Sequence, residues 1–478
     1  MPSLAAIRAE KARRRLHEFI RQGWHVLEPG TPLVWNWHVE VIADHVQGLL
    51  EEWFLARLEQ RPHRWQNLLI NVPPGTAKSR IVSVYAPAWW WLHAPDWRGI
   101  FVSGNPRVAL RDSMLCRQLI ESDWYRESFR PDWQLADDQN AKSLFRNTRS
   151  GFRAAVGVGA AITGDRGDAV FVDDPNDAAG VLSKAEREAV NAWWDLGAGN
   201  RLNDLRWGVR VGIMQRLHDE DWSGHVLKDG GWEHLRLPME FEKEHARPAR
   251  VGRGDPRTVE GELLFPQRFP REVLDAEKQR LGSAGYAGQH QQRPTPATGG
   301  IFQRGWWRFW RELPAEFDEV IQSWDLTFKG SDGSDYVVGQ VWGRKGASKY
   351  LIDQVRARLD FPATLAAIRA LSAKWPQATL KLVEDKANGP AVLAALRAEI
   401  SGLVAVEPDG GKEARAHAVA PQVEAGNVYL PDPSRGAFVH DLLEELAAFP
   451  RGAHDDQVDT LTQALRRLSE KRGGWVVL

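Results

Sequence analysis

The chain has 478 residues, 43% hydrophobic and 26% charged, a balance that excludes a largely disordered chain and allows two or three folded domains. Its single cysteine, Cys116, excludes an intramolecular disulfide framework and a cysteine-rich zinc module, and it suits a reducing cytosol. A formal net charge of -1 neither supports nor excludes a nucleic-acid partner, because the local field rather than the sum attracts phosphate.

In chain order, "MPSLAAIRAEKARRRLHEFI" lacks the apolar core of a signal peptide and reads as an exposed helix. "NLLINV" is a short apolar run leading into "PPGTAKSR". The longest apolar run, Ile81 to Pro95, is shorter than the roughly 18 to 20 residues that span a bilayer and contains Pro87, so no membrane segment is expected. "GIFVSG" is a second strand, followed by a helix over "RVALRDSMLCRQLIES"; "SLFRNTRSGFRAAV" has the form of a hairpin. The glycine-rich "GVGAAITGDRGD" precedes "AVFVDDP", and Ser183 with Glu186 forms a capping box opening a helix through Trp194. "GVRVGIM" is a further strand, ending at Gln215 and Arg216. Strands alternating with helices predict a mostly parallel, helix-covered sheet.

Proline and glycine in "QQRPTPATGGIF" mark a linker at 291–302, between a region 41–290, preceded by a helical segment 1–40, and a second region 303–478. The second region opens with three strands, "EVIQSWDL", "YVVGQVWG" and "YLIDQV". A helix "TLAAIRALSAKW", a strand "TLKLVED" and a helix "PAVLAALRAEI" follow, and "FVHDLLEELAAF" and "DDQVDTLTQALRRL" are the closing helices. That order is the order of an RNase H-like sheet. The 23 tryptophans are expected chiefly as large core residues rather than as base-stacking platforms.

"NVPPGTAKSR" has the parts of a phosphate-binding loop: a strand to aim it, small residues that admit backbone N–H groups to phosphate, Lys78 for the terminal phosphates and the Ser79 hydroxyl for Mg2+. Gly75, Thr76 and Ala77 complete it, with Ala77 where the usual pattern G-x-x-x-x-G-K-[ST] has its second glycine. Val170, Phe171 and Val172 end in Asp173, suited to the magnesium of bound ATP, and Asp174, suited to align the attacking water. Gln215 is positioned to sense the terminal phosphate, and Arg166 is a candidate arginine finger, in cis or on a neighbouring subunit's ATP.

Beyond the linker, Asp325 and Glu384 each lie toward the end of an apolar strand, where an uncompensated carboxylate is costly without a cation. In "HDDQVD", Asp455 and Asp456 lie four and three residues before Asp459, so on a helix they share a face and can meet the strand acids. Such a cluster suits two Mg2+ or Mn2+ ions in phosphodiester cleavage, and oxygen ligands argue against zinc. His454 is open as a ligand, a support to one, or a cap, while Asp332 and Asp335 read as turn residues.

Taken together, "INVPPGTAKS", "VFVDDP", "QRLHDED", "GELLFPQRF", "YAGQHQQRP", "VEDKANG" and "HDDQVD" resemble, in order, the large subunit of tailed-bacteriophage terminases. The resemblance implies an α/β protein with a P-loop ATPase domain of the ASCE type followed by an RNase H-like nuclease. It implies packaging of double-stranded DNA into a procapsid, Lys78 and Ser79 at ATP, Asp173 at its Mg2+, and Asp325, Glu384 and Asp456 as the nuclease triad, with Asp455 and Asp459 as possible substitutes for Asp456. It further implies a homo-oligomeric ring on the portal protein, a small terminase subunit as partner, and a place in the host cytoplasm and transiently on the procapsid, not in the mature virion. "IRAEKARRRL" could contact the small subunit, although an exposed helix is the simpler reading, and Trp37 and His38 lie where the family often contacts adenine. The rivals are an ATPase-nuclease of helicase, repair or restriction type, for which the stretch between Gln215 and the linker is too short to hold a second RecA-like domain, and a docking subunit with dead sites.

Overall fold

The computed structural model describes residues 3–136, 141–160, 164–178, 180–246, 249, 251–294, 300–326, 336–385, 389–408, 410–435, 438–452 and 454–470. The chain forms two compact units, Met1–Glu277 with Ala284–Thr295, and Lys278–Ser283 with Pro296–Leu478.

In the first unit the expected N-terminal helix is two, α1 (Leu4–Arg14) and α2 (Leu16–Leu27), broken at the extended Arg15. α1 is largely exposed, but α2 buries Leu16, Phe19, Ile20, Gly23 and Leu27, an apolar stripe at helical spacing. Helix α3 (Trp37–Leu58) leads to strand β1 (Asn67–Asn71). After the loop at 72–79 comes a π-helical turn, Arg80–Tyr85, running into α4 (Ala86–Trp90). Next come β2 (Arg98–Ser103), α5 (Pro106–Glu121), α6 (Asp123–Phe129), the hairpin β3 (Leu144–Arg146) and β4 (Phe152–Gly157), and β5 (Ala169–Asp173). The unit continues with α7 (Lys184–Leu196), β6 (Val209–Met214), α8 (Trp222–Asp229) and β7 (Trp232–Arg236). Helix α9 (Arg271–Gln289) is interrupted at Gly282, whose φ is 69°.

The strand order is β3-β4-β2-β5-β6-β1-β7, parallel throughout except for β3. One strand, β6, therefore separates the strand that carries the loop from the strand that carries Asp173. The apolar run from Ile81 is core: Trp89 and Trp91 are fully buried, and their indole N–H groups donate to the carbonyls of Arg13 and Trp97 at 2.9 and 3.0 Å. Among the described residues no helix is long and apolar enough to cross a membrane. Cys116, on α5, is buried, and burial above all pushes its thiol up to about 12.

The second unit holds β8 (Arg308–Trp310), β9 (Glu319–Leu326), β10 (Val337–Lys345), β11 (Ser348–Ala357), α10 (Phe361–Lys374), β12 (Leu380–Glu384) and α11 (Gly389–Leu396). It continues with β13 (Leu403–Val406), α12 (Lys412–Glu424), β14 (Val428–Pro431), α13 (Phe438–Ala448) and α14 (Asp456–Ser469). The order is β13-β12-β9-β10-β11-β14-β8, with β9, β10 and β11 an antiparallel meander and β12 parallel to β9. This is the RNase H-like arrangement, extended at one edge by β14 and β8. Trp324 and Val341 face a core with α10 and α11, whereas Ile321 and Trp342 face α12, α13 and α14.

A buried polar chain fixes α14. Gln340 donates to Gln354 and Gln354 to Gln457, each at 2.8 Å, and Gln457 donates through its backbone and side-chain nitrogens to Glu445 at 2.7 Å each. Buried amides are costly unless each finds a partner, so the chain holds this helix in one register.

Candidate functional site

β1 delivers residues 72–79 to the C-terminal edge of the first sheet, the edge at which open parallel sheets receive ligands. Gly75 and Ala77 both take left-handed backbone, with φ of 76° and 61°. Ala77 thus keeps the turn that a glycine would make and carries the strain itself. A side chain at Gly75 would strain the backbone and force Phe269 to shift, since a Cβ there would lie 2.9 Å from Phe269 Cζ.

The expected residues converge around this loop. Lys78 Nζ lies 2.8 Å from Asp174 Oδ2, so the two charges expected at phosphate and water are paired with each other. Ser79 and Ser83 donate their hydroxyls to the two oxygens of Asp173 at 3.1 and 3.3 Å. Burial, and then the adjacent Asp174, push the Asp173 carboxyl up to about 7 against the opposing pull of Lys78 and Ser79. An under-compensated buried carboxylate beside a serine hydroxyl fits a hard divalent cation. Gln215 donates its backbone N–H to Asp174 Oδ1 at 3.1 Å, and its side-chain Oε1 is buried without a hydrogen-bond partner among the described residues. Arg166 stands apart: it is exposed, donates to Leu202 O at 3.1 Å, and precedes the N-terminal end of β5, whereas Asp173 ends that strand. Five residues of strand put them on the order of 13 Å apart or more, so the chain's own loop is not within its reach in this conformation.

Several supporting residues were not visible in the sequence. Asn36 donates to His38 Nδ1 at 2.5 Å and to Leu264 O at 2.8 Å, and His38 Nε2 meets Thr76 O at 3.1 Å. Burial lowers the His38 pKa to about 4, so a neutral ring accepts at one nitrogen and donates to the loop at the other. The adenine role considered for His38 gives way to this bracing role, because its ring is only 1% exposed; Trp37 lies under the Arg257 guanidinium at 5.4 Å. "GELLFPQRF" brings Phe269 and Arg268 against the loop, with Arg268 Nε 3.6 Å from the place of a Gly75 Cβ. "QRLHDED" and "YAGQHQQRP" serve the strand end beside it: Arg216 Nε binds Asp221 at 2.9 Å, Asp221 caps α8 through Gly224 N at 2.8 Å, and Gln292 accepts from Arg216 N at 2.9 Å. The signal for these was the motif order, not any single residue.

In the second unit Asp325, Glu384 and Asp456 lie toward one end of the sheet. Val383 is in register with Trp324, so Glu384 and Asp325 are the next neighbours on the parallel pair β12 and β9. α14 runs antiparallel to β9: Arg467 binds Glu319 at 3.1 Å at one end and Ser323 donates to Thr460 O at 2.8 Å in the middle. Its first residue, Asp456, therefore reaches the end where Asp325 lies, and both are buried. Among the described residues, their carboxylates and that of Glu384 do not all lie within 4.8 Å of one another. Among the described residues, the clusters that tight are His17, Glu40 and Asp44, and Asp195, His225 and Asp229.

The three aspartates of the C-terminal motif separate by partner. Asp459 binds Arg415 at 2.6 Å and Lys412 at 2.8 Å, and Asp455 binds Lys412 at 2.7 Å. For Lys412 burial works against the charge, but hydrogen bonds to Asp455 and Asp459 outweigh it and raise the pKa. Both acids are thus engaged by cations from α12, whereas Asp456 Oδ2 accepts from Tyr336 N at 3.4 Å. His454 sets its ring edge-on to Tyr336 at 5.2 Å, and its Nδ1 is buried without a hydrogen-bond partner among the described residues. Asp332 and Asp335, and Lys386 to Asn388 of "VEDKANG", lie outside the described residues, as does part of the linker.

Residues 322–468 match the family model described as the terminase RNaseH-like domain. The resemblance to terminases read from the motifs is thereby borne out over residues 322–468. Solved structures with a similar arrangement include a large terminase from a thermophilic bacteriophage, 11% identical with a TM-score of 0.49, covering 88% of this chain and 98% of that one. The HK97 bacteriophage large terminase is 11% identical with a TM-score of 0.37, covering 95% of this chain and 99% of that one. The large terminase nuclease from thermophilic phage G20c with bound magnesium is 20% identical with a TM-score of 0.28, covering 36% of this chain and 99% of that one. No curated protein is significantly similar to the chain.

Proposed function

We propose that this chain is a terminase large subunit that couples ATP hydrolysis to movement of double-stranded viral DNA into a procapsid and cuts concatemeric DNA endonucleolytically. The observation that carries the reading is the pairing, in one chain, of a phosphate loop facing Asp173 and Asp174 with a carboxylate-lined sheet end inside a terminase RNaseH-like domain. When bound, Mg2+ at the nucleotide, and Mg2+ or Mn2+ at the nuclease acids, supply the charge that neutralises phosphate oxygens, activates water and stabilises the leaving oxygen.

The chain's own residues do the rest. Gly75 to Ser79 present backbone N–H groups and Lys78 to the phosphates, Ser79 and Asp173 hold the metal, Asp174 accepts a proton from water, and Gln215 couples the phosphate to the strand end. Asp325, Glu384 and Asp456 hold the nuclease metals, and Asp455 and Asp459 keep α14 in place through α12. Arg166 serves as a finger in trans, in a homo-oligomeric ring on the portal that takes DNA from a small terminase subunit, in the host cytoplasm and transiently on the procapsid. Among the described residues the first unit contains one sheet, which supports this reading over a two-domain helicase.

The test is a pair of variants in the full chain with Mn2+ or Mg2+. Asp325→Ala abolishes DNA cleavage and spares ATP hydrolysis, and Lys78→Ala does the reverse; normal cleavage by Asp325→Ala would refute the nuclease assignment.

A further inference from the structure

The antiparallel register of β10 and β11 pairs Val337 with Ala357 and Val338 with Arg356. One step further, at the mouth of the sheet, Tyr336 comes opposite Arg358. Val338 is also in register with Asp325, and Ser323, Gln340 and Gln354 face α14. Alternation along a strand then puts Asp325, Tyr336, Arg356 and Arg358 on the face that α14 covers, the helix whose first residue is Asp456.

Two guanidinium groups lie over the Tyr336 ring, that of Arg356 at 4.0 Å and that of Arg358 at 5.0 Å. They have different employment. Arg356 binds Glu445 at 3.2 Å, and Glu445 anchors Gln457, so its charge is used inside the fold. Arg358 is exposed, and among the described residues no carboxylate pairs with it. An aromatic-supported arginine on the sheet face that carries Asp325, with no carboxylate partner among the described residues, is not explained by stability. It stands two strands across from Asp325 and two residues further along, about 12 Å away at the usual strand spacing and rise. That is a small number of nucleotides along one DNA strand, whose charges recur about every 3.4 Å of helix axis.

We infer that Arg358, held by Tyr336, binds a backbone phosphate of the DNA strand flanking the bond to be cut. The inference rests on the nuclease reading of Asp325, Glu384 and Asp456. An acid cluster repels the backbone it must approach, and a planar guanidinium matches a phosphate bidentately where a flexible ammonium does not. The Tyr336 face restrains that plane before DNA arrives. Tyr336 also donates its backbone N–H to Asp456, so the phosphate contact and a nuclease acid share one residue.

The test measures cleavage of a linear double-stranded DNA fragment by the full chain with Mn2+, across a series of salt concentrations. Arg358→Ala raises KM about tenfold at low salt, changes kcat less than twofold, and reduces the slope of log KM against log salt by about 0.9, one phosphate contact. Arg358→Lys recovers the slope but only part of the KM. Arg369→Ala, which removes an exposed arginine paired with Glu399 elsewhere on the unit, leaves both unchanged and controls for bulk charge. An unchanged Tm of the second unit in each variant reports that it is folded. A wild-type slope and KM in Arg358→Ala, or a loss confined to kcat, overturns the inference while leaving the nuclease reading standing. Normal cutting by Asp325→Ala overturns both.

Discussion

Replacing Ala77 with glycine isolates the backbone cost of the phosphate loop. Ala77 holds φ at 61°, where an alanine pays roughly 1–2 kcal/mol relative to right-handed backbone. Glycine relieves that strain, but its looser unfolded chain returns about 0.4–1 kcal/mol. The net is a stabilisation between about zero and 1.5 kcal/mol, read as a rise in Tm of no more than a few degrees for a unit of this size. Scanning calorimetry of the full chain identifies the relevant transition as the one that ATP and Mg2+ move. Ala77→Gly moves it up, and the Kd for ATP stays within threefold because the loop's shape is unchanged. Gly75→Ala acts in the opposite direction, since its φ is 76° and the new Cβ meets Phe269. A fall in Tm for Ala77→Gly, or a tenfold loss of ATP affinity, would show that the loop depends on alanine's restriction and that the strain argument is wrong.

Three further expectations follow from the same geometry. Asp459→Asn leaves the buried Arg415 without its carboxylate and destabilises the second unit by about 3 kcal/mol or more, whereas Asp456→Asn loses cleavage with a smaller shift in Tm; equal Tm losses would undo the distinction. Without Mg2+ and nucleotide, the raised Asp173 pKa means that the fold holds a proton the unfolded chain has lost. Stability from this group is full below the ordinary carboxylate pKa and disappears as pH rises through about 7, and Asp173→Asn flattens the Tm profile over that window. Arg268→Ala raises the KM for ATP several-fold with little change in Tm, and an unchanged KM would show that its place beside Gly75 is incidental.

Legibility in the sequence followed polarity. The phosphate loop, Asp173, Asp325 and Glu384 stood out because a carboxylate or a glycine-lysine turn closing an apolar strand breaks the strand's own pattern. The pairing that sets Asp455 and Asp459 apart from Asp456 did not, because Lys412 and Arg415 reach them from α12, more than forty residues upstream. α12 itself went unseen, with Pro421 inside it, as did β13, whose Val404 and Ala405 are exposed. His38 bracing Thr76 across 38 residues and Phe269 closing over Gly75 are products of tertiary packing, which no periodicity announces. The N-terminal segment misled by its charge: arginines up to Arg15 hid the apolar stripe of α2 that follows.

The position of Cys116 has a practical side. It is the chain's one thiol, and it is sealed in the interior with its ionisation suppressed. A maleimide needs an exposed thiolate, so the unaltered protein is expected to stay dark in a labelling reaction while folded. A cysteine introduced at an exposed position would then be the sole reactive site, without first stripping native cysteines. Dyes, spin labels or crosslinkers placed on either unit could thus report motion during ATP turnover in a chain that carries a single deliberate change.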